Sequence, residues 1–247
     1  MSASDTIMIQ IGHVREIARY PVKSMAGTVL ESAFLGWYGL EGDRRFAFRR
    51  VGIDSGMPWL TGSRLPQLLL YHPVEFDTST GEPLPTHVRT PAGSCLELRG
   101  EELRAEIAGR FGSDVELMKL NHGIFDETVV SVISLATIAG IGREAGLDLD
   151  RRRFRANVVV ETERGETFLE DEWVGRTLVF GDGDAGPAVS VAMRDLRCVM
   201  VNIDPETGEQ DGRVMKTVVR LNRNNAGVYA TVVRTGTIRA GDRVALL

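Results

Sequence analysis

Short apolar runs broken by Gly, Pro and Asp set the rhythm of this chain. Residues 14–22 alternate loosely between apolar and polar, and runs at 29–37, 45–49, 68–76 and 96–98 continue the pattern. Alternation with a period of two is what a half-buried strand requires, because successive side chains point to opposite faces. Strands this short, with turn residues between them, predict a barrel or sandwich and not a parallel βαβ sheet. One segment breaks the series: Glu101–Phe111 sets Leu103 and Ile107 one helical turn apart. The stretch 81–93, with Pro83, Pro85 and Pro91, predicts an irregular surface excursion.

A second series begins near Asn121. Residues 128–133 are β-branched and apolar, and Ser134 leads into a helical pattern that ends around Gly146. Strands are predicted at 157–161, Thr177–Phe180, 188–193 and 199–203. A helix-period segment through Val214, Val218 and Leu221 precedes closing strands at 228–234 and Arg243–Leu246. The expected fold is mainly β with a few helices, in two packed β-barrel-like units, residues 1–120 and residues 121–247.

Composition narrows the classes. At 43% hydrophobic and 26% charged, the 247 residues read as an ordinary globular chain. A net charge of −5 argues against nucleic-acid binding, which rests on clustered positive charge. The longest apolar stretch, 129–141, is too short and interrupted to span a bilayer. Residues 1–12 show no basic region followed by an apolar one, so no signal peptide is read there. Cys95 and Cys198 form neither a disulfide framework nor a C-x-x-C pair, and His13, His72, His87 and His122 lack metal-ligand spacing. These features lead to an expectation of a reduced, cytoplasmic protein without membrane or nucleic-acid partners.

Against that background a few segments carry chemistry. Lys23, one of three lysines, follows a predicted strand in Tyr20-Pro21-Val22-Lys23-Ser24. With Ser24 and free backbone N–H groups it suits a phosphate, or it is a surface lysine in a loop. Arg44, after the Gly42-Asp43 turn, is either a bidentate anion contact or an ordinary strand entry. Arg155 and Asn157, leading into the apolar run 158–160, suit a phosphate and a heterocycle edge, or form a solvated strand end. Ser131 and Ser134 flank a helix start; Ser134 reads as its N-cap, and the same N-terminus suits a phosphate. Cys198 follows Arg197, and a neighbouring cation favours the thiolate, a nucleophile and soft metal ligand. One sulfur cannot hold a metal alone. Cys95 reads as a small buried side chain without a role.

Taken in order, Tyr20-Pro21-Val22-Lys23-Ser24, Gly42-Asp43-Arg44, Leu60-Thr61-Gly62-Ser63-Arg64, Arg153-Phe154-Arg155-Ala156-Asn157, Arg197-Cys198, Asp204-Pro205-Glu206-Thr207-Gly208 and the stretch 236–244 resemble the MOSC family, the molybdenum cofactor sulfurase C-terminal domain proteins, with its N-terminal β-barrel partner. The resemblance runs from about Val14 to Leu247 and is to the mitochondrial amidoxime-reducing component and its bacterial relatives. It implies a molybdenum-cofactor (molybdopterin) oxidoreductase that reduces N-hydroxylated compounds. By position Cys198 would ligate the metal, while Lys23, Ser24, Arg44, Ser131, Ser134, Arg155 and Asn157 would hold the pterin and its phosphate, a set that extends to Arg64 and Arg197. Specificity would lie in loops 52–58 and 210–225.

This chain has Ala156 where the family often has proline and Ala226-Gly227 where an aromatic or glycine-rich pair is common, which bears on loop geometry. No cysteine-rich ferredoxin-like stretch follows Leu247, so the resemblance implies a separate ferredoxin- or cytochrome-like electron donor. Two other readings remain open. One is a sulfur carrier with a persulfide on Cys198; the other is a pyridoxal-phosphate or anion-binding module without redox turnover.

Overall fold

The structure is a computed structural model that describes residues 8–53 and 56–247. Its strands are, in chain order, β1 (Ile9–Arg19), β2 (Thr28–Leu30), β3 (Ser32–Gly36), β4 (Gly39–Leu40), β5 (Phe46–Arg50), β6 (His72–Asp77), β7 (Leu84–Arg89), β8 (Cys95–Glu97), β9 (Val115–Lys119), β10 (Val130–Ser134), β11 (Val158–Thr162), β12 (Thr177–Phe180), β13 (Ala188–Leu196), β14 (Asn225–Arg234), β15 (Gly236–Arg239) and β16 (Arg243–Leu246). The helices are α1 (Glu101–Phe111), α2 (Leu135–Ala145) and α3 (Arg213–Asn222).

The protein is mainly β, built on a closed seven-stranded barrel. The strand order is β11-β10-β14-β13-β12-β16-β1, and β1 pairs again with β11 to close the ring. Alternate residues of these strands point inward and fill the interior, among them Val14, Val132, Val158, Val160, Leu178, Phe180, Val191, Val228 and Val244, all buried. Within the barrel, among the described residues, β10 and β11 are the one parallel pair, and α2 lies in the crossover between them. The first strand therefore lies between β11 and the last strand, β16. Dividing the chain at residue 120 puts β1 on one side and both of its barrel partners on the other.

A second core gathers residues of the first half. The β5–β9 ribbon, the β6-β7-β8 sheet and α1 bury Phe46, Phe48, Leu98, Leu103, Ile107 and Val115 together with Val22, Met25 and Tyr71. A third apolar cluster packs α2 and α3 against Ile133, Val159, Phe154 and Val201 on the outside of the barrel.

Several predicted elements differ in detail. The stretch 81–93 holds a real strand, β7, with Pro85 in it. Proline is tolerated there because β8 is short and pairs only with residues 87–89, leaving Pro85 no ladder bond to donate on that side. Residues 68–76 begin as a 3-10 turn, Pro66–Leu70, before β6 starts. The run 29–37 is split into β2 and β3. Residues 199–203 are not a strand: Val199–Asn202 is a 3-10 turn closed by Val201 N–H to Cys198 O at 3.3 Å and Ile203 N–H to Met200 O at 3.1 Å. Cys95 is exposed, not buried.

Candidate functional site

Just beyond the end of β1 the chain makes a tight turn: Met25 N–H bonds back to Val22 O at 3.1 Å, with Ser24 in the left-handed region at φ 66°. This turn buries Lys23, whose ammonium meets Asp126 Oδ1 at 2.7 Å. Burial lowers the Lys23 pKa, partly offset by Asp126; the same pairing outweighs burial and holds the Asp126 carboxyl down.

Two further cations enter from left-handed backbone positions, Arg44 at φ 49° and Arg155 at φ 50°. The Tyr20 ring lies between them, 5.2 Å from the Arg44 guanidinium carbon and 4.3 Å from that of Arg155. Arg44 pairs with the buried Asp43 and donates to Arg155 O at 3.0 Å. Arg155 donates to Met25 O at 2.7 Å. Burial of Arg155, with Arg44 close by, lowers its pKa to about 10. For Arg44, burial pulls the other way from Asp43, and the carboxylate wins, leaving the pKa raised. Asn157 locks the group from behind: its Oδ1 accepts from Arg44 Nη1 at 3.2 Å and from Ser131 N at 3.1 Å, and its Nδ2 donates to Ala18 O at 3.2 Å.

The opposite wall comes from β10, β14 and the end of β13. Ser131 Oγ donates to Asp195 Oδ2 at 2.9 Å. Arg197 donates through Nε to Ala226 O at 2.6 Å and through Nη1 to Phe154 O at 2.7 Å. Its Nη2 lies 2.8 Å from Asp195 Oδ2 but makes no hydrogen bond among the described residues. Burial raises the Asp195 carboxyl even with Arg197 beside it, and burial and Asp195 together raise the Tyr229 phenol. Cys198 follows, exposed, at the start of the 3-10 turn. The Asp204–Gly208 loop stays outside and braces that turn: Asp204 Oδ2 accepts from Arg153 Nη2 at 2.6 Å.

These groups line one cavity of about 400 Å³. Lys23, Ser24, Arg44, Ser131, Arg155, Arg197 and Cys198, all singled out from the sequence, meet there. Asn157 supports it without lining it. Ser134 does not reach it. The Ser134 hydroxyl caps α2 by accepting from Thr137 N at 3.0 Å and donates to Glu170 Oε2 at 2.9 Å, so the helix N-terminus already faces a buried carboxyl. Arg64 is exposed and outside the lining, whereas Thr61 and Ser63 of its motif line it. Gly62 between them allows close approach: a Cβ there would sit 2.6 Å from Leu69 and 2.8 Å from Met200. Of the two loops expected to govern specificity, 210–225 contributes nothing to the lining and is largely α3, while Met57 of 52–58 lines it. Asp54 and Ser55 lie outside the described residues.

Sequence reading missed Tyr20, Asp126, Arg153, Asp195 and Tyr229. Asp195 had a signal, since it stands two residues before Arg197 in extended chain and so on the same side.

The lining has five cations (Lys23, Arg44, Arg153, Arg155, Arg197) against three carboxylates (Asp126, Glu127, Asp195), on a chain of net charge −5. Arg153 Nε and Arg197 Nη2 are buried with no hydrogen-bond partner among the described residues. Orphaned buried donors on a cationic wall are what a phosphate-bearing ligand would satisfy. Among the described residues no three His, Cys, Asp or Glu side chains cluster as a metal-ligand set. A metal beside Cys198 would therefore bring most of its donors with it, as a dithiolene-bearing pterin does. The residues present fit such a group.

Fold and site together define a closed β-barrel protein whose rim presents an exposed thiol beside a cationic cleft. The MOSC domain family model matches residues 119–245, and the chain belongs to that family. Its fold is similar to that of the solved YuaD protein from Bacillus subtilis, 13% identical, with 97% of each chain covered and a TM-score of 0.53. YiiM from Geobacillus stearothermophilus is 16% identical over 48% of this chain and 54% of its own, with a TM-score of 0.37. No curated protein matches the chain. No helix among the described residues is long and apolar enough to cross a membrane.

Proposed function

We propose that this protein is a molybdenum-cofactor-dependent reductase of N-hydroxylated compounds, with Cys198 as the thiolate ligand of the metal. The observation that supports it is the placement of an exposed cysteine at the edge of a buried, predominantly cationic cavity. When bound, the cofactor would supply the oxygen-atom and electron chemistry. Lys23, Ser24, Arg44 and Arg155 would hold its phosphate and pterin through charge-assisted hydrogen bonds, which are strong in a partly dry cleft. Arg153 and Arg197 add positive charge to the same wall. Leu196, Val199 and Met57, exposed at 63%, 49% and 54%, form an apolar rim beside Cys198 that would hold the body of a substrate and limit water. Electrons would come from a separate carrier protein.

The test is elemental analysis of protein purified from a host that makes molybdopterin. About one molybdenum per chain in wild type, lost in Cys198→Ser, is expected. Wild-type protein that carries no metal, and instead a labile sulfur adduct on Cys198, would replace this reading with a sulfur-carrying one.

A further inference from the structure

Asp195 is a carboxyl that the cofactor-binding reading does not use. It is 1% exposed, lines the cavity, and has Oδ2 held by Ser131 Oγ at 2.9 Å with Arg197 Nη2 2.8 Å away. Three adjacent strands build this wall. Ser131 of β10 pairs with Tyr229 of β14, which pairs with Met193 of β13, two residues before Asp195.

We propose that Asp195 is the proton donor to the departing oxygen of the substrate. The proposal rests on the reductase reading above. Removing oxygen from a hydroxylamine-type substrate consumes two electrons and two protons. The N–O bond breaks, nitrogen keeps an electron pair, and the oxygen leaves as water with the proton from Asp195. The second proton, for nitrogen, and the one that resets Asp195 come from solvent at the open mouth. The two electrons are those the carrier protein delivers through the proposed cofactor.

The alternatives in the cavity are poorer acids. Asp126 is paired with Lys23 and held ionised, Glu127 is exposed, and the Tyr229 phenol is pushed up. Asp195 faces Arg197, Arg44, Asp126, Tyr229 and Ser131; burial, with Asp126 acting in the same direction, outweighs Arg197, Ser131 and Arg44 and raises its pKa. An acid poised in this way gains most when its pKa lies near the working pH.

The test compares wild type, Asp195→Asn and Asp195→Glu as holoenzymes. Molybdenum per chain should be unchanged in all three. Turnover of a hydroxylamine-type probe such as benzhydroxylamine should fall about 10²–10⁴-fold in Asp195→Asn with little change in KM, and recover partly in Asp195→Glu. Wild-type kcat should fall as pH rises through the Asp195 titration, and that limb should vanish in Asp195→Asn. Independently of turnover, the infrared carbonyl band of a protonated carboxyl should be present in wild type and lost in Asp195→Asn. A loaded Asp195→Asn with unchanged kcat and pH profile overturns the proposal, as does an Asp195→Asn that fails to load the metal. A wild type without molybdenum fails the reductase reading itself and is seen before any variant is made.

Discussion

Glu170 shows how a single buried carboxyl sets a local dependence on pH. It accepts from the hydroxyls of Ser134 and Thr137, each at 2.9 Å, with no cation beside it among the described residues. Burial raises its pKa, so the folded state holds the proton more tightly than the unfolded chain, where the value is about 4.3. That contribution to stability is fully present below the unfolded pKa and is lost as pH rises through the folded one. Glu170→Gln cannot ionise and should show a flatter dependence of urea midpoint on pH from about 4.3 upward. Glu170→Ala takes the carboxylate acceptor from two buried hydroxyls and should cost about 1–3 kcal/mol by the same measurement.

At the scale of elements, β14 carries a constraint that reaches the site. Gly227 has φ +84°, and a Cβ there would lie 2.7 Å from Val132 O and 3.0 Å from Arg197 Nη2. Gly227→Ala should therefore destabilise the fold by roughly 1–3 kcal/mol, read as a lowered Tm, and should displace the Arg197 fork as well. Elements with a strong local period were legible in the sequence: Glu101–Phe111, Thr177–Phe180 and Arg243–Leu246 stand as read. Residues 199–203 were not, because Val199, Val201 and Ile203 alternate like a strand while their backbone closes i to i+3 bonds. Asp195 was hidden for a related reason. The spacing to Arg197 marks its side of the strand, but its burial depends on β10 bringing Ser131 from a distant part of the chain, which no local pattern reports.

For the whole molecule, the pairing of β1 with both β11 and β16 decides what can stand alone. Residues 121–247 expressed without β1 would leave two strand edges unpaired over an open interior. That fragment should aggregate or lack a cooperative melt in circular dichroism; a sharp, reversible melt would show the seam to be dispensable. The cavity has the same reach, since Lys23 and Arg44 come from one part of the chain and Arg155 and Cys198 from another. Sequence motifs named most of its lining, yet the ring closure that brings them together has no sequence signature of its own.

The seam between β1 and β16 also imposes an order on synthesis. A ribosome exposes residue 9 early and residue 246 late, so the ring cannot shut until translation reaches its far partner. Contacts this distant along the chain slow folding and leave β1 waiting with bare edges, a state that invites chaperones. Whatever ligand the cleft takes meets a finished wall only once β16 has emerged and the ring has shut.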